Sequence, residues 1–397
     1  MRRTNSHPAW IGIALAFYAF IAIGIAEGGL GVLLPSILQT YHLTPATVTA
    51  LFLSQMTGYM IAAMTSSLLS SLMGLAKMLL LAAIALTSAL IIYAITPYWF
   101  VMVACGILLG LGIGLIDAGI NTFIANKQKN ANLMGVLHAF YGIGALSGPT
   151  LATTLLAFGM NWRQVYLVVA GVVGVMIVGM LWAVLQRYQP MMARQITDTN
   201  PIANLRLALK APIVLVAGLL LLIYVGTEVS IGNWAYTVQH VGRGIPDWIA
   251  GYSVSSYWLG LTLGRLGTGQ MVKVLGANRT INLSLSLLLL GLFTWWLLPN
   301  QWLSLPLMGF ALAAIFPTLI WSMPQRVPAA IVPAAIGFLA SVGSLGAALV
   351  PTVVGWIANA LSLEVIPALL IPLAVFMVIL HSWIVRFGAS CSHSGRI

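Results

Sequence analysis

Apolar stretches long enough to cross a lipid bilayer follow one another along almost the whole of this 397-residue chain. A crossing helix needs only about 20 apolar residues. Charged side chains make up 6% of the chain, against about 25% in a soluble domain, so a water-facing surface cannot be built from them. Soluble enzymes, DNA-binding modules and disordered chains are excluded on that ground. Cys105 lies in an apolar stretch and Cys391 in the tail, which suits neither a disulfide framework nor a metal site. No cofactor is implied.

Proline, glycine and charge divide the chain into twelve apolar segments, at about 10–36, 46–72, 76–96, 98–125, 132–158, 163–186, 212–238, 246–272, 278–298, 302–325, 331–358 and 364–387. All are expected to be α-helices, because a lone strand in lipid leaves its amides unpaired and no ten-residue alternation of a barrel is present. The segment after Arg2 and Arg3 is too long for a signal peptide and carries Glu27 near its far end, so it is read as the first span. The expected architecture is an all-α polytopic membrane protein.

The seventeen Lys and Arg residues test that count. With both termini cytoplasmic, fourteen fall on one side: Arg2, Arg3, Lys77, Lys127, Lys129, Arg187, Arg194, Arg206, Lys210, Lys273, Arg279, Arg326, Arg386 and Arg396. Arg163 and Arg243 fall on the other, and Arg265 lies inside the eighth span. Cytoplasmic loops are enriched in Lys and Arg. The net charge of +11 is therefore an orientation signal with anionic lipid headgroups as its neighbours, and nucleic acid is not a partner. A cell (inner or plasma) membrane location is expected.

One connection is long and polar, after the sixth span. It predicts residues 1–186 as one six-helix bundle, 187–211 as a cytoplasmic linker and 212–397 as a second bundle with a short tail. Sliding the halves by 202 positions aligns Ser54 and Gly58 with Ser256 and Gly260, Gly74 and Lys77 with Gly276 and Arg279, and Gly135, Gly144 and Pro149 with Gly337, Gly346 and Pro351. Glu27 meets Glu228 within one position, each followed four residues later by Gly31 or Gly232. An even-numbered repeat gives both halves the same membrane orientation, the parallel arrangement of major facilitator halves. Two like halves are expected to expose a central site to each side in turn.

The loop after the second span should hold the major facilitator signature, G-x-x-x-D-x-x-G-x-x-[RK]. Here it reads Ser67, Ser71, Gly74, Lys77, and its second copy Gly269, Lys273, Gly276, Arg279, so both lack the acid. Span four reads Gly110-Leu-Gly-Ile-Gly-Leu-Ile-Asp117-Ala-Gly-Ile-Asn121, and span five runs Leu137-His138-Ala-Phe-Tyr141 to Ser147-Gly148-Pro149. Asn161-Trp162-Arg163 starts span six, span seven reads Tyr224-Val-Gly-Thr-Glu228-Val-Ser-Ile-Gly-Asn233-Trp234, and span eight has Gly264-Arg265. Together these resemble the fucose–proton symporter, or sugar permease, branch of the major facilitator superfamily. The resemblance implies two pseudo-symmetric six-helix bundles and proton-coupled sugar transport. It also implies coupling roles for an acid on span one and an acid on span four, matched here by Glu27 and Asp117, with Asn121 at the family's asparagine. That branch usually has Glu on span four and often Asp on span one, so the identity of the solute does not carry over.

Three of the six acids, Asp198, Asp247 and Glu364, lie in the linker or at helix ends, where solvation or capping explains them. Glu27, Asp117 and Glu228 lie within apolar segments, where a charge costs at least about 2.5–3.5 kcal/mol, so each must face protein or water. At 1.5 Å per residue, Glu27 and Glu228 lie about 25 Å from the starts of their helices and are expected to face one cavity. His138 is placed to meet Asp117 across a helical hairpin, although a lone histidine in a helix is commonly a packing residue. Glu27, Asp117, Glu228 and His138 are the proton-coupling candidates. Gln55, Asn121, Tyr141, Asn233, Trp234, Tyr257 and Trp258 are the solute-binding candidates, since sugar sites need amides for hydroxyls and an aromatic face for the ring. Trp and Tyr are also ordinary interface anchors. Arg163 and Arg265 are expected to snorkel or close a cleft. The glycine runs suit helix packing and no dinucleotide site.

The resulting expectation is a secondary transporter, not an enzyme, that moves a small polar solute of the sugar or polyol class by alternating access with protons. Sodium is the other candidate ion, and the monomer is the expected working unit. The run Gly144-x-x-x-Gly148-Pro149 also resembles drug–proton antiporters, which leaves export of drugs or amphipathic metabolites open. A membrane nutrient sensor is the reading of another class.

Overall fold

The computed structural model describes residues 8–125, 132–191, 206–298 and 301–394. Most of the expected linker, Lys127, Lys129, Arg194, Asp198 and both chain ends lie outside the described residues. Among the described residues the secondary structure is helical, without a strand. Twelve spans are present at the expected places. The second to seventh are Ala50–Met73, Leu75–Ile95, Trp99–Ala125, Asn132–Ala157, Trp162–Leu185 and Pro212–Thr237. The eighth, ninth, eleventh and twelfth are Asp247–Leu275, Ala277–Leu297, Val332–Ala360 and Ile366–Ser394.

The first and tenth spans are each divided. The first comprises Ala9–Gly28 and Leu30–Thr40, broken at Gly29 just beyond Glu27. The tenth comprises Gln301–Ala313 and Ile315–Ser322, broken at Ala314. Pro317 has no amide hydrogen to give the Ala313 carbonyl, which explains the second break. Among the described residues, ten helices are both long and apolar enough to cross a membrane. The fifth and eighth spans, of 26 and 29 residues, are long enough but more polar; the eighth carries Asp247, Arg265 and Lys273.

The chain forms two compact units. The first comprises Met1–His42 and Ala50–Thr197, the second Leu43–Thr49 and Asp198–Ile397. The short segment Leu43–Thr49 thus belongs with the second unit, where Trp356 Nε1 donates to Thr49 Oγ1 at 3.2 Å. Within the first unit, span 1 packs on 5, span 2 on 4, and span 3 on 4 and 6. Within the second, 7 packs on 11, 8 on 10, and 9 on 10 and 12. Adding six to each number converts one pattern into the other, so the repeat extends from sequence to packing.

The seams of that packing are glycine. A methyl group on Gly58 would lie 1.9 Å from the Ile107 carbonyl oxygen, and one on Gly110 1.7 Å from that of Gln55. The second unit repeats this with Gly260 against Pro306 at 2.1 Å and Gly309 against Tyr257 at 2.0 Å. A methyl group on Gly144 would lie 2.3 Å from the Ile21 carbonyl oxygen, and one on its counterpart Gly346 1.9 Å from that of Leu222. Lipid tails are as apolar as leucine, so close backbone approach supplies much of the association between helices.

The tight links before spans 3 and 9 also match. Gly74 has φ +83° and Gly276 φ +79°, a region that favours glycine, which accounts for these landmarks surviving from the signature.

Arg163 and Arg243 take a role that the sequence did not suggest. Arg163 donates to the carbonyls of Ala94 at 3.2 Å and Thr96 at 2.6 Å and lies 4.5 Å from the Trp162 ring. It therefore caps the C-terminus of span 3, rather than snorkelling or closing a cleft, because the last helix carbonyls have no internal donor. Arg243 Nη2 donates likewise to Trp295 near the end of span 9, at 2.6 Å. Its repeat counterpart Tyr41 donates to Thr96 at 2.8 Å. Burial pushes the Arg243 pKa below the usual arginine value, with Glu364 opposing.

Gly346→Val is expected to destabilise by about 1–3 kcal/mol or more, because backbone rather than a pliable side chain blocks the added atoms. Gly267→Ala, whose methyl meets nothing within 4 Å, should leave the thermal midpoint unlowered. Thermal unfolding of the purified variants compares them.

Candidate functional site

In the first unit the polar groups gather on spans 1, 2, 4 and 5. Asp117 is half-buried and both its oxygens are taken. Tyr59 on span 2 donates to Oδ2 at 2.6 Å, and Asn121, one turn along span 4, donates to Oδ1 at 2.8 Å. The i, i+4 spacing puts Asn121 on the face of its acid. Glu27 is exposed, and Tyr141 on span 5 donates to its Oε2 at 2.8 Å. The Gly144–Ile21 seam brings spans 1 and 5 close enough for that bond. Gln55 on span 2 reaches the Tyr93 hydroxyl at 3.4 Å. His138 is exposed, and its ring stands edge-on to Phe20 at 5.7 Å. The hydrogen bonds that hold Asp117 thus run to Tyr59 and Asn121, whereas the expectation had looked to His138.

In the second unit the centre is Glu228, 8% exposed. Arg265 Nη2 lies 3.2 Å from its Oε1, an ion pair that joins spans 7 and 8. Tyr224, one turn earlier on span 7, donates to Oε2, and Tyr257 donates to the Glu228 backbone carbonyl at 2.9 Å. Arg265 is therefore the counter-ion of a buried acid. An isolated acid this deep would be costly, and Arg265 is the cation in reach.

The expected solute residues of this unit divide. Trp234 is fully buried and donates from Nε1 to the Pro351 carbonyl at 3.1 Å, with Gly355 against its ring. Tyr257 is likewise fully buried. Both serve packing in this conformation. Trp258 is buried with no acceptor for Nε1 among the described residues, and its ring lies over Gly232, next to the half-buried Asn233. A buried N–H without a partner is uncommon enough in proteins to need an explanation. Thr262 and Arg265 follow Trp258 at helical spacing, so all three share a face.

Tyr59 and Tyr93 are partners that the sequence reading missed. No spacing rule links Tyr59 to Asp117, 58 residues away. Tyr224 could have been found, since it stands four residues before Glu228. Among the described residues no cluster of three His, Cys, Asp or Glu side chains could hold a metal ion.

Two units of six spans with matched helix pairings, and acids held inside apolar helices, define a polytopic membrane protein of the transporter class. The sequence model of the Major Facilitator Superfamily matches residues 15–330, and the chain belongs to that superfamily. This places it among transporters rather than enzymes. It is 26% identical over 321 residues to the Glucose/mannose transporter GlcP of Bacillus subtilis, covering 77% of this chain and 78% of that protein. It is 26% identical over 272 residues to Bypass of stop codon protein 6 of Saccharomyces cerevisiae, covering 63% of this chain. This match spans about half the yeast protein, 54% of its length. Crystal structures of the nucleoside transporter NupG superpose with TM-scores of 0.79, for a mutant form, and 0.72. They share 13% and 16% identity, and the superpositions cover 94% and 95% of this chain and 99% and 98% of the other. At such identity they establish the fold alone. The sugar-permease resemblance drawn from the motifs agrees with the Bacillus relative.

Glu228→Gln and Arg265→Gln should each destabilise the protein, and the double variant should lose less than their sum. A coupling of about 0.5–3 kcal/mol is expected for groups in contact. Denaturation of the four proteins measures it, and strictly additive losses would show a pair without net worth.

Proposed function

We propose that this protein is a secondary transporter that moves a small polar solute of the sugar or polyol class by alternating access coupled to protons. The observation that carries the reading is the setting of Asp117. A carboxyl group inside an apolar helix is held there by Tyr59 and Asn121, which are neutral and bind it in either protonation state. An amide or hydroxyl beside a protonated carboxyl can still accept or donate, so one proton can be gained or lost without breaking an ion pair. Glu27 with Tyr141 has the same character and is assigned a coupling role. Glu228 differs, because Arg265 balances it. Its protonation would release the guanidinium, which suits a step that follows solute binding rather than the carriage of the proton.

Solute contacts are assigned to Gln55, Asn121 and Tyr141 in the first unit. In the second they are assigned to Asn233 and Trp258, whose indole N–H is a donor without an acceptor among the described residues and fits a hydroxyl oxygen. Trp234 and Tyr257 would support these two residues by packing, and His138 would tune Asp117 through its charge. The printed name of the Bacillus relative, a glucose and mannose transporter, favours a sugar over an amphipathic drug. The proposal includes a cell-membrane location with both termini cytoplasmic and a monomeric working unit, supported by the fourteen basic residues on one side.

Vesicles containing the protein and an internal pH-sensitive dye test this. A hexose added outside should alkalinise or acidify the lumen, and a sodium gradient should be dispensable. Asp117→Asn should abolish the pH change. Trp258→Phe should raise the half-saturating solute concentration about tenfold, the equivalent of one lost hydrogen bond of about 1.4 kcal/mol. Full proton-driven accumulation by Asp117→Asn would refute the assignment, and a response confined to amphipathic drugs would favour export.

A further inference from the structure

On the side that collects most of the basic residues, the second unit has a cavity of about 430 Å³ where spans 8, 9 and 10 end or begin. Asn278, Arg279, Trp321, Ser322, Gln325 and Arg326 line it, and none of the six acids of the chain is among the lining residues. Arg326 spends three donors on the protein, through Nε to Ser322 at 3.2 Å, Nη1 to the Ile384 carbonyl at 3.3 Å and Nη2 to Asn278 at 2.8 Å. That fixes its guanidinium and leaves two of its five N–H groups unused. Arg279 is exposed and makes no hydrogen bond or ion pair among the described residues. Lys273 precedes the glycine link, at the position where the signature would carry its acid. The loop thus has a cation where a counter-ion is expected, and two arginines with no carboxylate paired to them among the described residues.

We propose that this cavity binds a phosphate-bearing anion, with the headgroup of an anionic phospholipid as the source favoured by its place at the membrane edge. Arg326, held by its protein bonds, presents a fixed cation, and the exposed Arg279 lines the same cavity without a bond among the described residues to hold it back. Gln325 adds a neutral donor, while the Ser322 hydroxyl is spent on the Leu319 carbonyl, and Trp321, 57% exposed, lies where an indole would flank acyl chains. Basic pockets between spans on the positively charged side suit anionic headgroups. A soluble phosphate shares that chemistry, so the test separates the two.

The full-length protein in neutral detergent is titrated with phosphatidylglycerol or phosphatidylcholine, and retained lipid is read by native mass spectrometry. Phosphatidylglycerol should be retained preferentially, and Arg279→Gln should weaken it about fivefold, as expected for one cation near a headgroup. Lys77→Gln, the repeat counterpart outside this cavity, should not. Arg279 has no partner to lose among the described residues, so its variant is expected to fold, and an unchanged thermal midpoint without lipid checks this. Lys273→Gln combined with Arg279→Gln should weaken retention further. Displacement of the lipid by millimolar inorganic phosphate would assign the site to free phosphate, and resistance to it would assign the site to lipid. Equal retention of the two lipids, or unchanged binding by Arg279→Gln, overturns the proposal.

Discussion

In hydrocarbon a polar group has no water to turn to, so each one must be answered by another group of the protein. That constraint orders the described structure. Helices satisfy their own amides, and arginines or tyrosines answer helix ends, as Arg163 does for span 3 and Arg243 for span 9. Each of the three acids set within the apolar stretches is met by a tyrosine: Tyr141 for Glu27, Tyr59 for Asp117 and Tyr224 for Glu228. Phenol suits this role because most of the side chain is apolar and only the hydroxyl asks for a partner.

The same constraint makes glycine the main means of holding helices together. With no solvent to expel from between spans, contact must come from backbone surfaces that approach closely. The three seams of the first unit recur in the second at matching positions, carbonyl against glycine. Close seams also decide which side chains meet. The Gly144–Ile21 contact sets spans 1 and 5 near enough for Tyr141 to reach Glu27, and the Gly260–Pro306 contact holds span 8, which carries Arg265.

The acids therefore divide by partner, not by depth. Neutral donors hold Glu27 and Asp117, while a cation holds Glu228. Three residues equivalent by hydropathy and spacing have acquired different electrostatic settings. The second unit also keeps, at Trp258, an indole N–H with no acceptor among the described residues. It sits two turns before Arg265 on the same face of span 8, so the unsatisfied donor and the ion pair lie along one helix surface.

Span number, helix type and the six-plus-six repeat were legible in the sequence because hydropathy, proline and glycine act locally, and lipid leaves a chain few alternatives to a helix. The seams were legible in outline too, since small residues at repeat spacing have few other uses in an apolar helix. The acids could be found for the same reason, because a charge inside a span is conspicuous. Their partners could not. Tyr59 and Asp117 are 58 residues apart, Arg265 and Glu228 are 37 apart, and no local rule reaches across either interval. Arg163 looked like a boundary charge until the end of span 3 was seen to lie against it. What the sequence determined alone is where the helices run and which residues are too polar for lipid. Tertiary structure decided which partner each of those residues received, because partnership depends on how two separate helices pack.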